Sequence, residues 1–313
     1  MCDASAVMPT SDGLAIIVLN WNRREDTRKC VESCPMTLRI YVLNNGCVDG
    51  EEYTPDGRHR ETVVSSRTNL GYAAGVNHLA SMAIADGAKW LLLLNNDATL
   101  QSDSAEALVS MAAPGIAAVC PMVINPSNGR VWSVGGRISG RTGRVSSNYH
   151  DWQPKDVPAG SDDVDFGTGA CLLVSGRAMQ EIGGFDTTYF AYWEETDWCR
   201  RAREAGYRVV TCPGARAVHV GGVSSTPSLR LYLMIRNALL YMRRHGSRRD
   251  LVRFLPVFFL WTLPSWSIRP LVTDPKQTAR AVGRALAWHT HRTIPEPDVR
   301  LARVPSTSTP PNG

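Results

Sequence analysis

Three carboxylates, Glu194, Glu195 and Asp197, open the segment EETDWCRRAREAG, and His219 stands beyond the apolar run that follows it. A carboxylate at a helix start, among Tyr192, Trp193 and Trp198, is pulled two ways. The positive end of the helix favours its ionisation, and desolvation by the aromatic rings disfavours it. A general base tuned towards neutral pH is one outcome. Acids that merely complement the helix dipole are the other. Glu195 falls three residues before Trp198 on the stripe Trp198, Ala202, Ala205 and is expected to point inward. Glu194 and Asp197 are expected on a more polar side, with Asp197 placed to pair with Arg201. A further acid, Asp97, closes LLLLNNDATL. Asp97 offers the hard oxygen ligands that magnesium or manganese takes, and an asparagine carbonyl can add a neutral one. With one carboxylate, such an ion would draw its other ligands from a substrate diphosphate and from His219. A polar turn closing a strand accounts for Asn95, Asn96 and Asp97 equally well.

These groups need a frame. The four leucines 91–94 read as a strand buried on both faces, and ligands of open α/β sheets bind beyond the carboxyl ends of such strands. From about 14 to 94 the order is strand, helix, strand, strand, helix, strand, followed by a helix over 104–111 and a strand over 116–120. That alternation predicts an α/β protein, a mostly parallel sheet with helices on both faces. Residues 121–164 turn to Gly, Ser, Asn and Arg with short Val and Trp runs, as expected of a hairpin and loops beside a cleft. Trp132 there either stacks on a sugar face or is a half-buried hairpin residue. A helix over 228–244 carries Leu231, Met234, Ile235, Ala238 and Tyr241 on one stripe. Its central Arg236 either reaches a diphosphate or, as the expectation, meets solvent or an ion pair. His78 is expected on a helix surface, and Gly71 and Gly75 serve either a tight turn and close packing or a phosphate approach.

Seven motifs in order, IIVLNWN, VLNNGCVDG, NLGYAAGVN, LLLLNNDA, GTGACLLV, GGFDTTYFAYWEETDWCRRAREAGYRV and HVGG, resemble the inverting glycosyltransferases of the family 2 type with the GT-A fold, and most closely their rhamnosyltransferase-like branch. The resemblance covers roughly 14–246. It implies that Asp97 is the last acid of the metal-binding Asp-x-Asp element, with Asn95 in the place of the first, and that His219 completes the shell of Mg2+ or Mn2+. Glu195 matches the base, although a glutamate stands there where relatives carry aspartate, so Glu194 stays an alternative. Asp197 matches an acid expected to orient the acceptor. In the nucleotide half, Trp21 matches an aromatic that packs on the base, and Asn44 stands where an aspartate faces the pyrimidine imide. Asn20, Asn69, Gly71, Asn77, Asn95 and Asn96 complete the expected nucleotide-sugar site. The implied activity is metal-dependent, inverting transfer of a sugar, such as the deoxysugar rhamnose, from a pyrimidine nucleoside diphosphate to an acceptor hydroxyl of a glycan, glycolipid or secondary metabolite. A catalytically weak sugar-nucleotide-binding or assembly module is the alternative. The implied organisation is a GT-A catalytic domain over 1–226, with a nucleotide half at 14–120 and an acceptor half at 121–226. A C-terminal helical subdomain over 227–293 and a disordered tail over 294–313 follow.

Composition sets the remaining bounds. In 313 residues, 43% hydrophobic, there is enough apolar surface for one large or two ordinary domains. Arg243, Arg244, His245, Arg248, Arg249 and Arg253 precede FLPVFFLWTLPSW. That order suits peripheral contact with anionic lipid through 243–268. The expectation preferred here is a helical face packed on the catalytic core or on a second subunit, as in a homodimer. Pro256 and Pro264 interrupt the uncharged stretch 254–268, so no spanning helix is expected. The start lacks a basic region followed by an apolar one, and eight scattered cysteines without C-x-x-C read as reduced thiols. A cytoplasmic protein, at most peripheral to the inner face of a membrane, is expected. No nucleic-acid reading motif is present. Residues 20–25 lack both the G-x-G-x-x-G of a dinucleotide enzyme and the Gly-rich basic loop expected of a nucleotidyltransferase.

Overall fold

A computed structural model describes residues 13–139, 142–221 and 225–291. The expected disordered tail over 294–313 lies outside the described residues. Strands apolar on both faces form the middle of the sheet: β1 (Leu14–Asn20) runs parallel to both β2 (Arg39–Asn45) and β4 (Trp90–Leu94), with Ile16 opposite Ile40 and Leu92. On one side β3 (Arg60–Ser66) adds parallel to β2. On the other, β10 (Cys171–Ser175) is inserted antiparallel between β4 and β6 (Ile116–Ile124). Beyond β6 lie β11 (Arg208–His219), parallel, and the short antiparallel β5 (Ala98–Leu100). The order is β3-β2-β1-β4-β10-β6-β11-β5, with β7 (Val131–Ser133) paired to β6. A separate hairpin joins β8 (Gly136–Ile138) to β9 (Val145–Ser147).

Alternation along each strand sends successive side chains to opposite faces, and both faces are covered. Ile16, Val18, Ile40 and Leu92 pack with Cys30 and Val31 of α1 (Arg24–Glu32) and Leu108 of α3 (Ser104–Ser110). Ile17, Tyr41, Leu43 and Leu93 pack with α2 (Tyr72–Ala85), α4 (Gly176–Ile182) and α5 (Glu194–Glu204) through Leu79, Met179 and Trp198. Gly75 lets α2 lie against Leu19 and Leu43, where a Cβ would collide with both, so close packing explains this glycine. His78 is exposed on α2. The described cysteines are free thiols, and all but Cys47 are buried. Burial pushes Cys120, Cys171 and Cys199 up, to about 12 for Cys199.

The chain ends in a helical layer. Thr226 caps α6 (Pro227–His245), its hydroxyl accepting from the Leu229 N–H at 3.3 Å. Ser247 and Asp250 form a capping box on α7 (Arg248–Val257). A π turn over Phe258–Thr262 then leads without a break into α8 (Leu263–Thr273), and α9 (Pro275–His291) returns against α6. Leu231, Ile235, Ala238, Phe254, Phe258, Ala281 and Ala285 form the core of this layer. Two expectations are corrected here. The prolines do not interrupt the apolar stretch, since Arg248–Thr273 is one helix of 26 residues, long and apolar enough by length and composition to cross a membrane. Nor is its apolar face packed on the catalytic core of the same chain, since Val252, Leu260, Trp261, Ile268 and Val272 are exposed there.

Candidate active site

The sheet's carboxyl edge, the start of α5 and one face of α6 enclose a cavity of about 390 Å³. The end of β4 delivers Asn95, Asn96 and Asp97 to its wall, and the end of β11 delivers His219. Pairing of His219 with Ala98 across β11 and β5 is what brings the imidazole beside the acid. The His219 Nε2 lies 3.0 Å from Asp97 Oδ1, while Asp97 Oδ2 accepts from the Gly221 N–H at 3.1 Å. The Trp132 ring covers the imidazole, with centroids 4.9 Å apart.

Opposite elements bring Glu194 and Glu195 to the same cavity. Glu195 Oε1 accepts from the Gly169 N–H at 3.3 Å, and Gly169 is itself tethered by the Tyr72 hydroxyl, which donates to its carbonyl at 2.9 Å. The Oε2 atoms of both glutamates are buried without a protein partner. Burial, and then the Glu195 charge, push Glu194 well above the ordinary range. Burial also raises Glu195, but the hydrogen bonds its carboxylate accepts, including that from Gly169, oppose it. Of the two, Glu194 is the carboxyl more disfavoured as an anion and Glu195 the better supported one. Glu194 is buried, so its expected place on a polar side is corrected: the first turn of α5 sits inside the molecule.

The approach to α5 is bent sharply. Phe190, Tyr192 and Trp193 all have positive φ, at 64°, 67° and 77°, a conformation that side-chain-bearing residues adopt only when held. They are held by α6. The Asn237 amide donates to the carbonyls of Tyr189, Ala191 and Tyr192 at 3.0, 2.9 and 2.6 Å, and the Arg236 guanidinium donates to Thr188 and Tyr189 at 2.8 and 2.7 Å. Arg236 is fully buried between the Tyr232 and Trp288 rings and does not line the cavity, which corrects its expected place in solvent or at a diphosphate. Gly71, at φ 82°, passes this bend so closely that a Cβ would come within 2.6 Å of the Phe190 ring.

Of the other expected site residues, Trp21, Asn69, Gly71, Asn95 and Asn96 line the cavity. Asn20, Asn44, Asn77 and Asp197 do not. The Asn44 amide is consumed by the protein: Oδ1 accepts from the Tyr53 N–H at 2.8 Å and from Asn20 at 2.9 Å, and Nδ2 donates to the Tyr53 carbonyl at 3.0 Å. It clamps the loop after β2. Strand alternation puts its neighbour Asn45 on the cavity side. Asn20 joins Asn44 to the Glu51 carbonyl and to Thr27. Asn77 brackets the backbone of Phe185, with both bonds at 2.8 Å. Asp197 pairs with Arg201 as expected, at 2.8 Å, but its other oxygen bonds His245 at 2.8 Å and the Tyr189 hydroxyl at 3.1 Å. Burial would raise Asp197, yet the His245 and Arg201 bonds prevail and hold it below the usual carboxylate range. It ties α5 to α6 and touches no cavity.

Sequence reading missed Arg230, the guanidinium among the described cavity-lining residues. Arg230 shares its face of α6 with Leu233 and Met234, and Met234, expected on the stripe of Leu231 and Ile235, lines the cavity too. As for a divalent ion, the donor set fits. Asp97 and His219 offer the carboxylate and imidazole donors that Mg2+ or Mn2+ takes, side by side in one cavity wall. A cluster with metal-ligand spacing, Asp56, His59 and Glu61, lies outside the cavity and has other partners: Arg58 binds Asp56, and the Tyr53 hydroxyl donates to Glu61.

Residues 11–239 match the model of the glycosyltransferase-like family 2. Among curated proteins, the chain is 24% identical over 278 residues to the low-salt glycan biosynthesis hexosyltransferase Agl10 of Haloferax volcanii, covering 85% of this chain and 86% of that protein. It is 28% identical over 209 residues to the N-acetylglucosaminyl-diphospho-decaprenol L-rhamnosyltransferase of Mycobacterium tuberculosis, covering 58% of this chain and 66% of that protein. Among solved structures it resembles GalNAc-T7 with UDP, GalNAc and Mn2+, at a TM-score of 0.59 and 12% identity, over 91% of this chain and 58% of that one. It also resembles a mannosyltransferase of Pyrobaculum calidifontis in complex with GDP-Man and Mn2+, at a TM-score of 0.51 and 16% identity, over 91% and 77%. The GT-A fold expected from the motifs is the fold observed.

Proposed function

Since the chain belongs to glycosyltransferase family 2, we propose that it carries out inverting transfer of a hexose or deoxyhexose, such as rhamnose, from a pyrimidine nucleoside diphosphate to an acceptor hydroxyl. One observation carries the reading: the Glu194–Glu195 pair and the Asp97–His219 pair line the same cavity, whose volume of about 390 Å³ is of ligand size. Glu195 takes the proton of the acceptor hydroxyl. The acceptor oxygen attacks the anomeric carbon as the bond from that carbon to the diphosphate oxygen breaks, and the nucleoside diphosphate leaves from the opposite face. Glu194, kept protonated, spares Glu195 a second negative charge beside it. Asp97 and His219 would hold Mg2+ or Mn2+, which when bound offsets charge on the leaving diphosphate. Arg230 lies where it can share that charge, and Trp21, Asn45 and Asn69 make the wall for the nucleoside. The rhamnosyl and hexosyl relatives support the donor class, and the decaprenyl-linked substrate in the name of one supports a lipid-linked acceptor.

Mass spectrometry of products from a panel of nucleotide sugars, with soluble and polyprenyl-diphosphate acceptors, tests the assignment. Glu195→Gln should bind donor as wild type and lose roughly 10³-fold in kcat. Unchanged turnover would remove Glu195 from the role. Donor binding without any transfer or donor hydrolysis would favour a binding module.

A further inference from the structure

The helix Arg248–Thr273 is half a core element and half an unclaimed surface. Phe254 and Phe258 are buried against α6 and α9, while Val252 is 72%, Leu260 79%, Trp261 68%, Ile268 61% and Val272 82% exposed. We infer that this face docks in the interfacial layer of an anionic lipid bilayer, lying along it.

Charge complementarity selects lipid as the occupant. Residues 246–291 hold seven Arg and Lys against two Asp, a net of +5 that equals the net charge of the whole chain. The basic groups frame the apolar face and do not cross it: Arg248, Arg249 and Arg253 are exposed at one end, Arg269 at the other, and residues 254–268 carry no charge. A second copy of this face would bring the same cationic frame towards itself. A bilayer meets the apolar centre with acyl chains and the guanidinium rim with phosphates. The geometry also favours lying over crossing. The fifteen uncharged residues extend only about 22 Å as a helix, against roughly 30 Å of hydrocarbon. Crossing would also strip Phe254 and Phe258 from their core. Pro256, Pro264 and Pro270 lack the N–H that the preceding turn's carbonyl expects, and those carbonyls keep access to water only near the headgroups. The surface is joined to the cavity through α6, which presents Leu229, Arg230, Leu233 and Met234 to the cavity and Ile235, Ala238 and Met242 to the layer that holds Phe254 and Phe258.

Flotation of the full chain with vesicles tests this independently of the transferase reading, because donor binding is measured in parallel without lipid. The chain should float with phosphatidylcholine vesicles containing about one-quarter phosphatidylglycerol, and alkaline carbonate should release it. Leu260→Asp with Trp261→Asp should lower the bound fraction about tenfold or more, with melting and donor binding unchanged. Replacing Arg248, Arg249 and Arg253 by Gln should reduce binding to the level on pure phosphatidylcholine. Three results would overturn the inference. These are no flotation of the wild-type chain, retention through carbonate, which marks a spanning helix, and a lipid-free dimer that Leu260→Asp with Trp261→Asp disperses, which makes a second copy the occupant.

Discussion

Glu194 and Glu195 are neighbours in one dry wall, and two carboxyls so placed do not ionise together. Burial, then the neighbouring charge, raise Glu194 well above 4.5 in the folded protein, whereas the unfolded chain ionises it near that value. The fold therefore loses stability from Glu194 as pH rises from the ordinary value towards the raised one. Glu194→Gln cannot ionise, so it should melt higher than wild type at about pH 8 and by a smaller margin at about pH 4. Equal melting temperatures at both would show that Glu194 is not held protonated. Glu195 is also raised above 4.5, chiefly by burial, so transfer should fail as pH drops through an acid limb above the usual carboxylate range. An acid limb at the ordinary value would mean that the base is solvated. At the other pair, Asp97→Ala should abolish the gain in donor affinity that Mg2+ or Mn2+ gives in calorimetry. The same gain in the variant would place the ion elsewhere.

At the scale of elements, α6 fixes the bend that aims α5. Asn237 fills three carbonyls with one amide, and Asn237→Ala would leave buried acceptors bare at a cost of about 2–3 kcal/mol. Urea melts should show that loss, and kcat should fall more than donor affinity, because the bend positions carboxylates and not the nucleoside wall. A variant with wild-type kcat would free the bend from this role. The central strands were legible as continuous apolar runs and α5 and α6 by apolar stripes near a period of four, patterns that survive in the fold. Asn44 and Asn45 were not separable in that way. Motif matching picks the residue by name, whereas the pleat decides which of two adjacent asparagines lines the cavity, and here the loop 51–53 recruits the first. The tie from Asp197 to His245 was not legible for a similar reason, since His245 lies 48 residues away at the far end of α6.

Taken whole, the molecule uses the first helix after residue 226 for the cavity as well as for the helical layer. α6 lines the cavity, holds the bend and carries α7 to α9 on its back, so a chain ended at residue 246 would bare Ile235, Ala238 and Leu239. Such a truncation is expected to aggregate or to lose donor binding, as light scattering and calorimetry would show. A monodisperse, donor-binding fragment would make the last helices dispensable. The helical layer was legible as helices and not as a surface, because residue type does not say which half of an all-apolar helix meets the core. The two faces of the sheet also carry their own chemical timers. Cys30 and Cys34 lie in one layer of the core and Cys120 and Cys199 in the other, all shielded from solvent in the native state. Pulsed alkylation read out peptide by peptide therefore tells whether the nucleotide-side and opposite-side layers come apart in one event or in two.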